Sequence, residues 1–170
     1  MKGTFLRGVP DNAFLCYSER KIRKEEVKDM FRKEELVKRA FEAQKHAYAP
    51  YSGFQVGAAL LAEDGSVYEG CNIENASYGA SNCAERTAFF RAVYEGKRKF
   101  SAIAVVGKAE NAEAYEYCPP CGICRQVMAE FCDPENFEII LAKDEEDYCS
   151  YKLGELLPLG FTGKNMEEEK

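Results

Sequence analysis

The chain has 170 residues, 46% hydrophobic and 31% charged, with a formal net charge of −6, a composition that fits one folded core and excludes a disordered polyampholyte. No apolar run approaches the ~20 residues of a membrane-spanning helix, and Met1-Lys2-Gly3-Thr4-Phe5-Leu6-Arg7 meets a charge before a signal-type apolar stretch can build. The first thirty residues hold seven basic against five acidic side chains, so the acidity lies in the remainder and argues against a nucleic-acid partner.

Residues 1–20 mix Gly, Pro, Asp and Asn without a sustained period, as in a peripheral extension. From about Glu19 to Ala47, apolar residues recur at three- and four-residue steps through Val27, Met30, Leu36, Val37 and Ala40. That spacing predicts a helix, ended by Ala49-Pro50-Tyr51-Ser52-Gly53. Phe54 to Leu61 and Val67 to Ile73 read as strands joined by a turn at Glu63-Asp64-Gly65-Ser66. Cys83 to Tyr94 is helical in pattern, with Gly96 placed to cap its C-terminus. Phe100 to Gly107 reads as a buried strand, and an acidic loop from Glu110 to Glu116 leads to Cys118-Pro119-Pro120. Cys121 to Phe131 is a further helix, Phe137 to Ala142 a further strand, and a short strand, a turn and the Glu167-Glu168-Glu169 tail complete the chain. This order predicts an α/β fold, a three-layer α/β/α sandwich with one mixed sheet. The expected organisation is an extension over 1–30, one domain over 31–163 and an acidic tail over 164–170.

Eight cysteines stand at 16, 71, 83, 118, 121, 124, 132 and 149. In a chain long enough to bury its own core, without an export signal, they read as thiols or metal ligands, and the expected location is cytoplasmic. Pro120-Cys121-Gly122-Ile123-Cys124 places two thiols on one face of a helix's first turn, where free N–H groups and the helix dipole stabilise thiolates. A bare pair of this kind serves metal binding, redox chemistry or packing. Cys83 opens another helix, just after the N-cap types Ser81 and Asn82. Cys83 and Glu85 would diverge in a helix interior, but a residue at the cap projects past the helix end. If both helix starts aim at one point, Cys83, Cys121 and Cys124 supply three thiolates with Glu85 beside them. Three protein ligands leave a fourth tetrahedral position for water, the catalytic zinc pattern, and a carboxylate there can take and deliver the water's proton. Three thiolates on Zn²⁺ leave a negative charge, so Arg86 and Arg125 are expected to offset it by donating to sulfur.

The competing class is a non-catalytic zinc or iron–sulfur protein. Cys118-x-x-Cys121-x-x-Cys124 resembles the start of an iron–sulfur run, but Met128 stands where the fourth cysteine is due. His46, the single histidine, is not needed as a ligand, and Cys16, Cys71, Cys132 and Cys149 are assigned to burial.

Cys83-Ala84-Glu85, followed after 34 residues by Pro120-Cys121-x-x-Cys124, resembles the zinc nucleoside deaminases. Further blocks agree: Tyr51-Ser52-x-Phe54-x-Val56-Gly57-Ala58-Ala59-Leu60, Gly70-Cys71-Asn72-Ile73-Glu74-Asn75-Ala76-Ser77-Tyr78, Asn82-Cys83-Ala84-Glu85-Arg86-Thr87-Ala88 and Cys121-Gly122-x-Cys124-Arg125-Gln126. With Leu156-Leu157-Pro158 and Phe161, residues 31–163 are similar to the small, homotetrameric cytidine deaminases of the cytidine and deoxycytidylate deaminase-like family.

The resemblance implies one Zn²⁺ per subunit and hydrolytic deamination of cytidine and deoxycytidine to uridine and deoxyuridine plus ammonia, a pyrimidine salvage reaction. Water activated at zinc adds to C4 of cytosine, while Glu85 protonates N3 and then the leaving amine. It implies that Phe54 packs on the base, that Asn72 and Glu74 hold the ribose hydroxyls, and that Ala84 belongs to the substrate site. Ala76, Tyr78 and Phe161 are implied to complete sites shared between neighbouring subunits. A carboxylate such as Glu74 accepts bonds from a free hydroxyl and repels a phosphate, which favours a nucleoside substrate. Blasticidin S deaminase shares the zinc signature but resembles the chain less in the Asn72–Asn75 block and at Phe161. The chain departs from the pattern in its first thirty residues, its acidic 110–118 loop, Pro119 and Phe89.

Overall fold

The computed structural model describes residues 24–166; the predicted extension up to residue 23, with Cys16, and the tail from residue 167 lie outside them. Helix α1 (Lys24–Gln44) is followed by strands β1 (Phe54–Ala62) and β2 (Val67–Cys71), helix α2 (Ala84–Tyr94) and strand β3 (Phe100–Ala109). Helix α3 (Gly122–Phe131), strands β4 (Glu138–Ala142) and β5 (Tyr148–Lys152) and a single turn of helix, α4 (Leu153–Leu156), complete it. The sheet runs β2-β1-β3-β4-β5. Its β3–β4 pair is parallel and the others are antiparallel, so the mixed sheet stands as expected.

Both faces of the sheet are covered, which is why β1 and β3 read as continuous apolar runs rather than alternating ones. Ala58, Leu60 and Ala62 of β1 face α2 and α3, whereas Ala59 and Leu61 face α1, as period-two geometry requires. On the α1 side, Leu36, Val37 and Ala40 meet Ala102, Ala104, Val106, Ile140 and Ala142. On the other side the core is aromatic. Phe89 is fully buried, its ring 5.0 Å from that of Phe100 and stacked on Phe131 at 6.1 Å. Full burial of such a side chain contributes roughly 1.5–3 kcal/mol.

Two glycines set the distance between helices and sheet. A Cβ on Gly57 would lie 2.0 Å from the Ala40 carbonyl oxygen of α1, and one on Gly70 would lie 2.4 Å from the Ala84 carbonyl oxygen of α2. The chain thus brings a helix backbone directly onto a strand on each face.

The structure moves three sequence-based boundaries. Helix α1, described from Lys24, ends at Gln44, short of the expected Ala47. Strand β2 stops at Cys71, short of Ile73, because the Asn72 side chain leaves the ladder to bond the backbone of β1; Ile73 forms isolated bridges with Tyr48 and Asn82. The caps of α2 and α3 are Cys83 and Cys121. Ser81 and Asn82 do other work: the Ser81 hydroxyl accepts the Asn75 N–H, and the Asn82 amide donates to the Thr87 hydroxyl. Gly96 follows α2 at φ +86°, as its cap position demands.

Candidate metal centre

The first turns of α2 and α3 converge. Cys83 and Cys121 each occupy the N-cap with extended backbone, and neither sulfur bonds its own helix, so both project past the helix ends. Cys124, one turn into α3, points the same way. The Cys83 and Cys121 sulfurs are 3.9 Å apart, those of Cys121 and Cys124 are 3.5 Å apart, and all three lie within 4.8 Å of one another. Tetrahedral zinc with Zn–S bonds of ~2.3 Å needs sulfurs separated by about 3.8 Å. The donor set fits a zinc ion in chemistry and spacing, and Cys83, Cys121 and Cys124 are positioned to hold it.

Charge is arranged to favour the thiolate form. The Cys83 thiol is shifted down by the hydrogen bond it shares with Cys124 and by the neighbouring Arg86 guanidinium. Arg86 donates from Nη2 to the Cys83 sulfur at 3.6 Å and to the Ser81 carbonyl at 3.2 Å. Its Nε is buried without a hydrogen-bond partner among the described residues, leaving a donor unspent beside the sulfurs.

Arg125 behaves otherwise than expected. Its Nε donates to the Pro120 carbonyl and its Nη1 to the Leu156 carbonyl, each at 2.7 Å, because α4 folds back beside α3. It secures the backbone that presents Cys121 rather than bonding a sulfur. Cys118 lies outside the sulfur trio, and burial pushes its thiol up to about 11.

Glu85 is the second residue of α2 and is 4% exposed. Burial raises its carboxyl above the ordinary range, and the negative charge of Cys83 adds to the effect. A carboxyl so placed, beside the sulfur cluster, is suited to carry a proton.

The chain also exposes several aromatic rings. Phe54, 38% exposed, opens β1, and Tyr78 is 76% and Phe161 60% exposed. The Tyr51 and Tyr78 rings meet edge to face at 6.0 Å. The Phe161 carbonyl accepts from the Gln126 amide at 2.7 Å, which ties the C-terminal segment to α3.

Asn72 and Glu74 have local partners. Asn72 accepts from the Val56 N–H and donates to the Phe54 carbonyl, both at 2.8 Å. Glu74 accepts from the Tyr51 and Ser52 N–H groups and the Ser52 hydroxyl, which lowers its carboxyl below the usual range. An amide offers two donors and two acceptor sites and a carboxylate about four acceptor sites, so each keeps capacity for a ligand hydroxyl.

Ala76 is exposed in the loop that follows Glu74. Ala84, by contrast, is 0% exposed; as the first residue of α2 it lies in the core against Gly70, so the structure does not bring it to the open face. Sequence reasoning missed Ser52, whose hydroxyl accepts the Phe54 N–H at 3.0 Å. Its signal was a serine two residues before a strand start, a local turn motif.

Comparison with known proteins gives the same picture. Residues 30–138 match the family model for the cytidine and deoxycytidylate deaminase zinc-binding region. A cytidine deaminase from Halalkalibacterium halodurans is 53% identical over 133 residues, covering 78% of this chain and 96% of that protein. A probable cytidine deaminase from Dictyostelium discoideum is 38% identical, covering 78% and 86%. Among solved structures, cytidine deaminase from Burkholderia pseudomallei superposes with a TM-score of 0.67 at 49% identity, covering 75% of this chain and 97% of that one. The Mycobacterium tuberculosis enzyme gives 0.62 at 38% identity, covering 75% and 94%. The chain therefore belongs to the cytidine and deoxycytidylate deaminase zinc-binding family.

Proposed function

We propose that this chain is a hydrolase that converts cytidine and deoxycytidine, with water, to uridine and deoxyuridine and ammonia. The observation that carries the reading is the meeting of two helix N-termini, capped by Cys83 and Cys121, around one point that also receives Cys124 and the buried Glu85. Zinc, if held by the three thiolates, would supply a water far more readily ionised at neutral pH than free water. The remaining steps belong to the chain. Glu85 takes the proton from the attacking water, delivers it to ring N3, and passes a proton to the departing amine. Its raised proton affinity suits a group that must accept and give within one cycle. Arg86 offsets the excess negative charge of three thiolates from its place beside Cys83.

The Phe54 ring provides the surface for the base, and Asn72 and Glu74 bind the ribose hydroxyls with their unspent sites. Glu74 repels a phosphate, so free nucleosides are preferred to nucleotides. Residues 31–163 form the deaminase domain, with 1–30 and 164–170 as appendages. The active form is a homotetramer in which Ala76, Tyr78 and Phe161 complete neighbouring sites. The exposure of Tyr51, Tyr78 and Phe161 supports this, since large apolar side chains left open to water suit a subunit contact. The location is cytoplasmic. Free cysteines at 71, 83, 118, 121, 124, 132 and 149 suit a reducing compartment. Among the described residues no helix is long and apolar enough to cross a membrane.

Metal analysis and the loss of cytidine ultraviolet absorbance, measured on one preparation, test the reading. One zinc per chain with turnover of cytidine and deoxycytidine is expected, and faster turnover of dCMP or blasticidin S would overturn the substrate assignment.

A further inference from the structure

Gly107 sits in β3 opposite Val56 of β1, an interior strand position where glycine is ordinarily a liability. Its surroundings explain the choice. A Cβ there would lie 2.7 Å from the Cys118 sulfur, 3.0 Å from the Cys118 Cβ and 3.0 Å from Cε1 of the Phe54 ring. The missing side chain leaves a notch, and the Cys118 side chain and the Phe54 ring both press into it. The main chain of Phe54 is held separately, by the Ser52 hydroxyl at its N–H and by the Asn72 amide at its carbonyl. The ring remains partly open to solvent, Phe54 being 38% exposed.

We propose that Gly107 and Cys118 form the seat of the Phe54 ring and thereby position the surface on which the pyrimidine packs. The inference rests on the nucleoside reading above and adds two positioning residues to it. Cys118 is neither a metal ligand nor a proton carrier in this role; it is a polarisable filler behind an aromatic ring, a use to which sulfur is suited. The Pro119-Pro120 pair that follows restricts the backbone that carries Cys118.

The test uses the full-length, zinc-loaded protein. Gly107→Ala crowds two side chains, with no backbone atom among its nearest contacts, so the strand should survive while the ring is pushed outward. Cys118→Ala removes the support, and Cys118→Ser keeps an atom at the γ position. Misplacing one aromatic contact predicts a KM for cytidine raised roughly three- to tenfold in Gly107→Ala and Cys118→Ala, with kcat within about twofold. The Kd for uridine, which needs no chemistry, should rise by the same factor, and Cys118→Ser should fall between Cys118→Ala and the parent. Unchanged KM and uridine affinity in variants that hold one zinc per chain would overturn the proposal, as would a loss confined to kcat. Should Gly107→Ala fail to fold, the two Cys118 variants decide alone. Failure of the parent protein to deaminate cytidine would instead strike the proposed function, and the two failures are distinct.

Discussion

The two faces of the sheet meet the same packing problem with different materials. Toward α1, the contact is aliphatic and rich in small side chains, with Ala40, Ala59, Ala102, Ala104 and Ala142 buried among Leu36, Leu61 and Ile140 and Gly57 admitting the helix backbone. Toward α2 and α3, it is made by Phe89, Phe100, Phe131 and Phe137, with Gly70 admitting α2. The first face holds one helix close and carries no chemistry. The second fixes two helices whose starting residues bring three sulfurs within 4.8 Å of one another. Large interlocking rings suit that task, because they leave little freedom for one helix to slide against another.

The sharpest break between the faces is expected at the acid. Glu85→Gln should retain one zinc per chain and a normal melting temperature yet lose about 10²–10⁴-fold in kcat; metal analysis with steady-state kinetics checks it, and a variant above a tenth of the parent rate would remove the proton-transfer role. Next come the two glycines, whose substitutions should separate the faces. Both place a Cβ into backbone, so each should cost about 1–3 kcal/mol or more in denaturant unfolding. Gly70→Ala moves the turn that carries Cys83 and Glu85 and should also lower zinc content and kcat, whereas Gly57→Ala should spare both in the folded fraction. Equal loss of zinc in the two variants would contradict the division of labour. The smallest effect concerns charge. Arg86 is a cation beside Cys83, and its removal makes every deprotonation at the centre harder, so Arg86→Ala should move the acidic limb of the kcat/KM profile to higher pH. Arg125→Ala, which removes a tie between α3 and the Leu156 carbonyl, should leave that limb in place.

Much of the site was legible in the letters. The first-turn pair Cys121 and Cys124, the cysteine at another helix start and the glutamate two residues on are local patterns, and helix geometry alone says where such side chains project. The element order was legible too, since apolar periodicity and turn chemistry are local properties. The partner of Arg125 was not: that depends on α4 folding back onto α3, a contact between residues 31 positions apart. The burial of Ala84 was hidden for the same reason, because it follows from Gly70 on a neighbouring strand.

The sequence by itself determined which residues can bind a soft divalent ion, the order of helices and strands, and that both sheet faces are covered, because these follow from side-chain chemistry and short-range periodicity. Only the tertiary structure decided that three sulfurs from two helices come within 4.8 Å, that Glu85 is shut away from water beside them, and that Asn72 braces the strand bearing Phe54 while Glu74 holds the turn before it. Distances between distant segments are set by how whole elements pack, and no spacing along the chain encodes them.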